Sequence, residues 1–129
     1  MGNYVLPTGV LEKAPRAVSA VINLVNLVRK AQDVEVEVWD LSSFSNPVKL
    51  PVLTGNNIPV IFPYRLPPVT FAEMYASLTG VLFYEIRIIH LKARRIIANC
   101  FGRSITSVAQ EGNTVLDQQL IKIDLNCSC

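Results

Sequence analysis

Chemistry-bearing residues are scarce in this chain. It has one histidine, His90, and one tryptophan, Trp39, and charged residues make up only 17% of its 129 positions. Neither Ser77 nor Ser104 lies in a nucleophile-elbow pattern and His90 has no identifiable orienting acid, so no catalytic triad can be named. There is no glycine-rich phosphate loop and no paired CxxC spacing. The net charge of +2 is small and scattered. Arg87, Lys92, Arg94 and Arg95 form the one dense basic group, and no aromatic array accompanies them, so a nucleic-acid footprint is not expected. No run approaches the ~20 apolar residues of a membrane span. The start, MGNYVLPTGVLEK, lacks the basic opening and apolar centre of a signal peptide. The expectation is a non-enzyme with no cofactor, no nucleic-acid partner and no membrane partner. It would be made in a cytoplasm and stay there, or leave by a route other than a cleaved signal.

What the chain has is apolar surface. Half of its residues are hydrophobic, more than one small core can hide, which points to association. At this length it is one domain that buries roughly two-thirds of its unfolded surface, so it needs neither metal nor disulfide merely to fold. The organising stretch is Leu82 to Ile89. Leu82, Tyr84, Ile86 and Ile88 alternate with Phe83, Glu85, Arg87 and Ile89, the two-residue period of a central strand. A second β-branched run, Arg95 to Phe101, follows the basic turn containing His90, and the two read as a hairpin with His90 exposed.

Elsewhere the same period recurs. Val34, Val36 and Val38 alternate with Glu35 and Glu37 without exception. Ala17 to Leu27 has competing helical and strand periods, and its β-branched content favours strand. Residues 47–68 hold Pro47, Pro51, Pro59, Pro63, Pro67 and Pro68. Proline lacks the ladder donor, so this segment reads as a crossing connection with short edge strands. Val69 to Gly80 carries a Thr70/Glu73 capping-box pair, yet Val69, Phe71, Glu73 and Tyr75 alternate, which favours strand slightly. Gly102 to Asn113 reads as a loop, with Gly112 and Asn113 a turn. Gln119, Ile121, Ile123 and Leu125 read as one face of a last strand. Short strands with proline- and glycine-marked turns give an all-β fold: an antiparallel β-sandwich, jelly-roll-like in its crossing loop. Residues 1–15 are its flexible N-terminal arm, 16–125 the sandwich, and 126–129 a short Cys-x-Cys tail. The core is expected to hold Val36, Val38, Tyr84, Ile86, Ile121 and Ile123. The arm's one sticky patch is Tyr4, Val5 and Leu6, which either frays or docks on a neighbour.

Three cysteines, Cys100, Cys127 and Cys129, are candidates for intermolecular disulfides, since an odd number leaves one thiol free or bonded to another molecule. In an extended tail Cys127 and Cys129 would have Cα atoms about 6.6 to 7 Å apart, at the limit of disulfide reach. The alternative is three reduced thiols, one buried as a small hydrophobe. A zinc site from these cysteines and His90 fits by ligand type, without the spacing that marks such sites.

The order VEVEVWDLSS, proline-rich crossing, LFYEIRI, a strand ending NCFGR, then QEGNTVLDQQLIKI resembles the small β-sandwich spore-surface proteins of spore-forming bacteria, including endospore appendage subunits. The likeness spans about residues 17–125. It implies a jelly-roll structural subunit, made in the mother-cell cytoplasm, that self-assembles into a pilus-like homopolymer on the spore surface. Such fibres are implied to grow by sheet augmentation and disulfides, with other spore-surface proteins as further partners. Cysteines of those subunits sit on an N-terminal connector, whereas residues 1–15 here have none. Two other functions fit the pattern: a carbohydrate or surface-ligand module stacking on Trp39, Tyr64 and Tyr75, and a viral capsid jelly roll.

Overall fold

In the computed structural model the described residues are 3–91, 96–104, 109–120 and 123–124. Their strands are β1 (Asn3–Pro7), β2 (Leu11–Glu12), β3 (Ala17–Asn26), β4 (Gln32–Asp40), β5 (Val48–Leu50) and β6 (Leu53–Thr54). They continue with β7 (Tyr64–Leu66), β8 (Thr70–Ser77), β9 (Phe83–Leu91), β10 (Ile96–Ser104), β11 (Ala109–Val115) and β12 (Ile123–Asp124), with a 3-10 turn at Asp117–Gln119. Sheet I has the order β12-β1-β9-β4-β5, with β2 also on β9 and β7 also on β4. Sheet II has the order β11-β10-β3-β8-β6. All pairings are antiparallel, and the two sheets form a β-sandwich. Its jelly-roll-like character lies in the crossings: β3, β4, β8, β9 and β10 each lie in the sheet opposite their predecessor.

The core follows from alternation. Val34, Val36 and Val38 of β4 and Tyr84, Ile86 and Ile88 of β9 face Ile22 and Leu24 of β3, Met74 and Ala76 of β8, and Ala98 and Cys100 of β10. Burying the valine, leucine, isoleucine and methionine side chains among them stabilises the fold by about 1.5 to 3 kcal/mol each before entropy is subtracted. Strand wins at residues 70–77, where Ala72, Met74 and Ala76 turn inward and the capping-box pair is not used. The proline-rich segment is the expected crossing. It supplies β5 to sheet I, β6 to sheet II and β7 back to sheet I, closing one side of the sandwich with short, proline-bounded strands.

Several expectations are corrected. The runs at 82–89 and 95–101 do not form a hairpin: β9 pairs with β1, β2 and β4, while β10 lies in the other sheet between β3 and β11. Two apolar alternating strands can each fill a central position, so they need not be neighbours. Leu82 precedes the strand and is 61% exposed. His90 is buried rather than exposed, because β9 runs through it and its parity points it inward. Residues 102–104 and 109–113 lie in the strands β10 and β11 where a loop was expected. Asn113 is a buried anchor, not a turn: its Oδ1 accepts the Ala14 N–H at 2.7 Å and its Nδ2 donates to Glu12 O at 2.7 Å. Gln119 ends the 3-10 turn, and β12 holds only Ile123–Asp124. Ile121 and the side chain of Ile123, both expected in the core, lie outside the described residues.

The segment expected as a flexible arm is part of sheet I. β1 and β2 both pair along β9, in registers that differ by one residue, with Gly9 at φ +75° between them. That offset is a β-bulge, and glycine supplies the left-handed conformation it needs. Thr8 N–H donates to Ile86 O at 2.9 Å, and Lys13 N–H to Leu82 O at 2.8 Å. Leu6 joins the core and Tyr4 meets His90. Tyr4, Val5 and Leu6 therefore dock within their own chain, because an unpaired β9 edge beside an apolar core is their nearest partner.

Candidate assembly surfaces

The two outer faces differ in character. Sheet I turns Asp33, Glu35, Glu37, Glu85 and Arg87 outward, joined by Lys49 and Arg65 of its edge strands. These charges are networked: Lys49 pairs with Glu37 at 3.1 Å, Arg87 with Glu85 at 2.7 Å, and the Arg87 guanidinium lies 5.4 Å from the Trp39 ring centroid. Trp39 Nε1 also donates to Glu37 at 3.2 Å. Trp39, Tyr64 and Tyr75 form no shared platform. Tyr64 packs against the core, and Tyr75 is on the other sheet beneath Arg103.

Sheet II turns outward a mostly apolar surface, and its register arranges that surface in rows. Ile97, Val25 and Phe71 lie side by side on β10, β3 and β8; Asn99, Asn23 and Glu73 form the next row; Phe101, Val21 and Tyr75 the third. Val21 is fully covered by its neighbours, whereas Phe71 is 72% and Ile97 38% exposed. Glu73 and Arg103 are the charges of these three strands' outer face, and they pair at 3.2 Å. Exposed Leu27 and Val69 flank the first row.

Sheet II also has an open edge. β6 pairs with β8 only at Met74 and Tyr75, and among the described residues no strand pairs with residues 70–73 on that side. Leu78 N–H donates to Val18 O across the β3 side at 3.0 Å. Alternation then points the backbone groups of Ala72 and Thr70 toward β3 and those of Phe71 and Glu73 outward. The entry to this edge is firmly held. Asn26, fully buried, donates through Nδ2 to Lys30 O, Leu66 O and Pro67 O at 2.8, 3.2 and 3.0 Å. The Pro67 to Thr70 turn then places Val69 at φ +51°, a conformation that a β-branched residue adopts only under strain.

The other end of sheet II is β11. Beyond Val115 the chain leaves β10, and Asp117 takes over: its carboxylate accepts the Ala98 N–H at 2.9 Å while its own N–H donates to Asn99 Oδ1 at 2.9 Å. From β11 the directions alternate through β10, β3 and β8, so β8 and β11 run oppositely, while the end strand β6 runs the same way as β11. Sequence patterning had no means of finding these edges, since it shows which residues alternate and not which strand ends a sheet.

Cys100 is fully buried on the inward face of β10. Burial pushes its thiol from 9.0 up to about 12, with the nearby Asp117 carboxylate adding to the shift. Burial likewise raises the Tyr84 hydroxyl above its ordinary 10.0, with Cys100 as a lesser cause, and Tyr84 Oη has no hydrogen-bond partner among the described residues. The expectation of Cys100 as an intermolecular-disulfide candidate is thus corrected: the strand's parity sends it into the core, out of reach of another molecule. Cys127 and Cys129 lie outside the described residues. Among the described residues no group of three His, Cys, Asp or Glu side chains could hold a metal ion, and no helix is long and apolar enough to cross a membrane.

No family model and no curated protein matches the chain. Among solved structures it is similar to the crystal structure of Thermotoga maritima 1070, with 10% sequence identity and a TM-score of 0.39 over 95% of this chain and 90% of that one.

Proposed function

We propose that this chain is a self-assembling structural subunit of a fibre, of the spore-surface appendage kind that its sequence resembles, growing by strand augmentation. The observation that carries the reading is the open edge of β8 at residues 70–73, uncapped by β6. Open edges recruit extended chain, because their outward N–H and C=O groups, otherwise left to water, form a ready template for another strand. Translation of one copy along sheet II would bring the β8 edge beside the β11 end of the next. The opposite directions of those strands make that pairing antiparallel, like every pairing among the described residues. Such a contact is head-to-tail and does not close, so it propagates as a filament. The end strands β12 and β5 of sheet I run the same way and would meet in parallel, as would β6 and β11 of sheet II, so growth in this reading is confined to the 70–73 stretch that β6 leaves open.

Disulfides, in this reading, are secondary. Cys127 and Cys129 are the thiols left to link copies, and strand pairing carries the growth. Electron microscopy of the purified chain tests the reading. Filaments are the expected result, and dispersed particles at high concentration contradict it.

A further inference from the structure

The outer face of sheet II has a symmetry in its rows that the strand-edge contact does not use. We propose that this face is a second self-association interface, through which two copies pack about a two-fold axis running along β3. The inference rests on the self-assembly reading above and adds a lateral contact to it.

A two-fold along β3 exchanges the positions of β10 and β8 while leaving each row at its own height. Ile97 of one copy then meets Phe71 of the other, and Val25 meets Val25. One row further, Asn99 meets Glu73. In the third row Phe101 comes opposite Tyr75 and the Arg103 guanidinium that lies over its ring, while Val21 stays covered by its own neighbours. Apolar groups face apolar groups in the first row, and the middle row is polar on both copies. The one carboxylate of the face meets a primary amide, not a second carboxylate, and each keeps its own Arg103 at 3.2 Å. Such self-complementarity is what an isologous contact requires: residue i meets j and j meets i. The outer face of sheet I has no such match. It carries seven charges, six of them joined in the pairs Lys49–Glu37, Arg65–Asp33 and Arg87–Glu85, so a second copy there would cover ion pairs and not apolar groups.

Size sets the strength. Three strands spaced about 4.8 Å apart and eight residues long, at about 3.3 Å per residue, span roughly 15 by 26 Å. With side-chain relief, two such faces bury on the order of 1,000 Å2 in total, the lower bound for a specific contact. One contact alone gives a weak dimer. Repeated along two filaments it adds up, and the filaments pair.

The test uses the full chain. Mass per unit length of filaments, measured by scanning transmission electron microscopy, is expected to fall twofold in Ile97→Lys, with filaments still forming. Asn99→Asp, which keeps the acceptor for Asp117 N–H, places two carboxylates together across the axis and is expected to do the same. The double substitution Asn99→Asp with Glu73→Lys restores the wild-type value. Unchanged mass per length in both single variants overturns the lateral contact and leaves the filament reading intact. If wild type forms no filaments, sedimentation equilibrium decides: a concentration-dependent dimer lost in Ile97→Lys upholds the face contact, and a monomer at all concentrations overturns it. Thermal melts matching wild type confirm that each variant is folded.

Discussion

Tyr4 of β1 meets His90 of β9 edge to face, with ring centroids 5.9 Å apart and planes at 74°. The contact ties the first residues of the chain to the central strand of sheet I, two positions from where Leu6 enters the core at 2% exposure. The N-terminal segment is therefore structural before it is anything else. Leu6→Ala is expected to cost about 2 to 5 kcal/mol, as for other buried leucines, and deletion of residues 1–7 to cost more. Urea unfolding followed by far-ultraviolet circular dichroism measures both. A deletion variant as stable as wild type would mean that β1 is dispensable.

Gly102 is packed beneath Asn113. A Cβ at residue 102 would come within 2.9 Å of Asn113 Cβ, 3.0 Å of its Oδ1 and 3.2 Å of Ala17 Cβ. Asn113 cannot retreat without losing its bonds to Ala14 and Glu12. Gly102→Ala is accordingly expected to destabilise by about 1 to 3 kcal/mol, whereas Gly55→Ala, with nothing within 4 Å, is neutral. Chemical denaturation of the two side by side checks the contrast.

Cys100 sets an alkaline limit. Its folded value, about 12, lies above its ordinary 9.0, so the folded state holds the proton more tightly than the unfolded chain. The stabilisation is complete below pH 9 and is lost as pH rises from 9 toward 12. The raised Tyr84 hydroxyl acts in the same direction from pH 10 upward. In a Cys127→Ser/Cys129→Ser background, Cys100 is expected to react with a thiol reagent at pH 8 only after denaturant is added. Rapid labelling of the native protein would place the thiol at the surface. Oligomer bands on non-reducing gels are expected to survive Cys100→Ser.

Val69 holds φ +51° while 66% exposed, so its side chain gains little from burial to offset the strain. Val69→Asn, which tolerates the left-handed region, is expected to stabilise the monomer by about 1 kcal/mol. A melting temperature equal to or below that of wild type would show that the strain is relieved in solution.

Much of the architecture is legible in the chain, for a physical reason. Val34 to Val38, Tyr84 to Ile88 and the prolines from Pro47 to Pro68 each encode a local property, a face or a missing donor, and these set the strand faces and bar the proline segment from a central position. Partnership is not local. Nothing in Leu82 to Phe101 reveals that the chain changes sheets after Leu91, so the hairpin expectation failed and took the exposure of His90 with it. The same limit hid the docking of Tyr4 and Leu6 on β9, since an apolar patch near a terminus looks alike whether its partner is its own sheet or a neighbour. For Cys100, alternation from Ile96 and Ala98 was enough to send it inward. The assembly surfaces were the least legible, because a sheet's last strand and the rows on its face exist only once the register is set.

The most direct measurement compares Phe71→Ser with Phe71→Pro by electron microscopy under conditions where the wild type assembles. Phe71 turns its backbone N–H outward on the open β8 edge, and proline removes that donor while serine keeps it. Filaments from Phe71→Ser and none from Phe71→Pro, with both variants folded, are the predicted result. Filaments of equal abundance from both would contradict growth through the β8 edge.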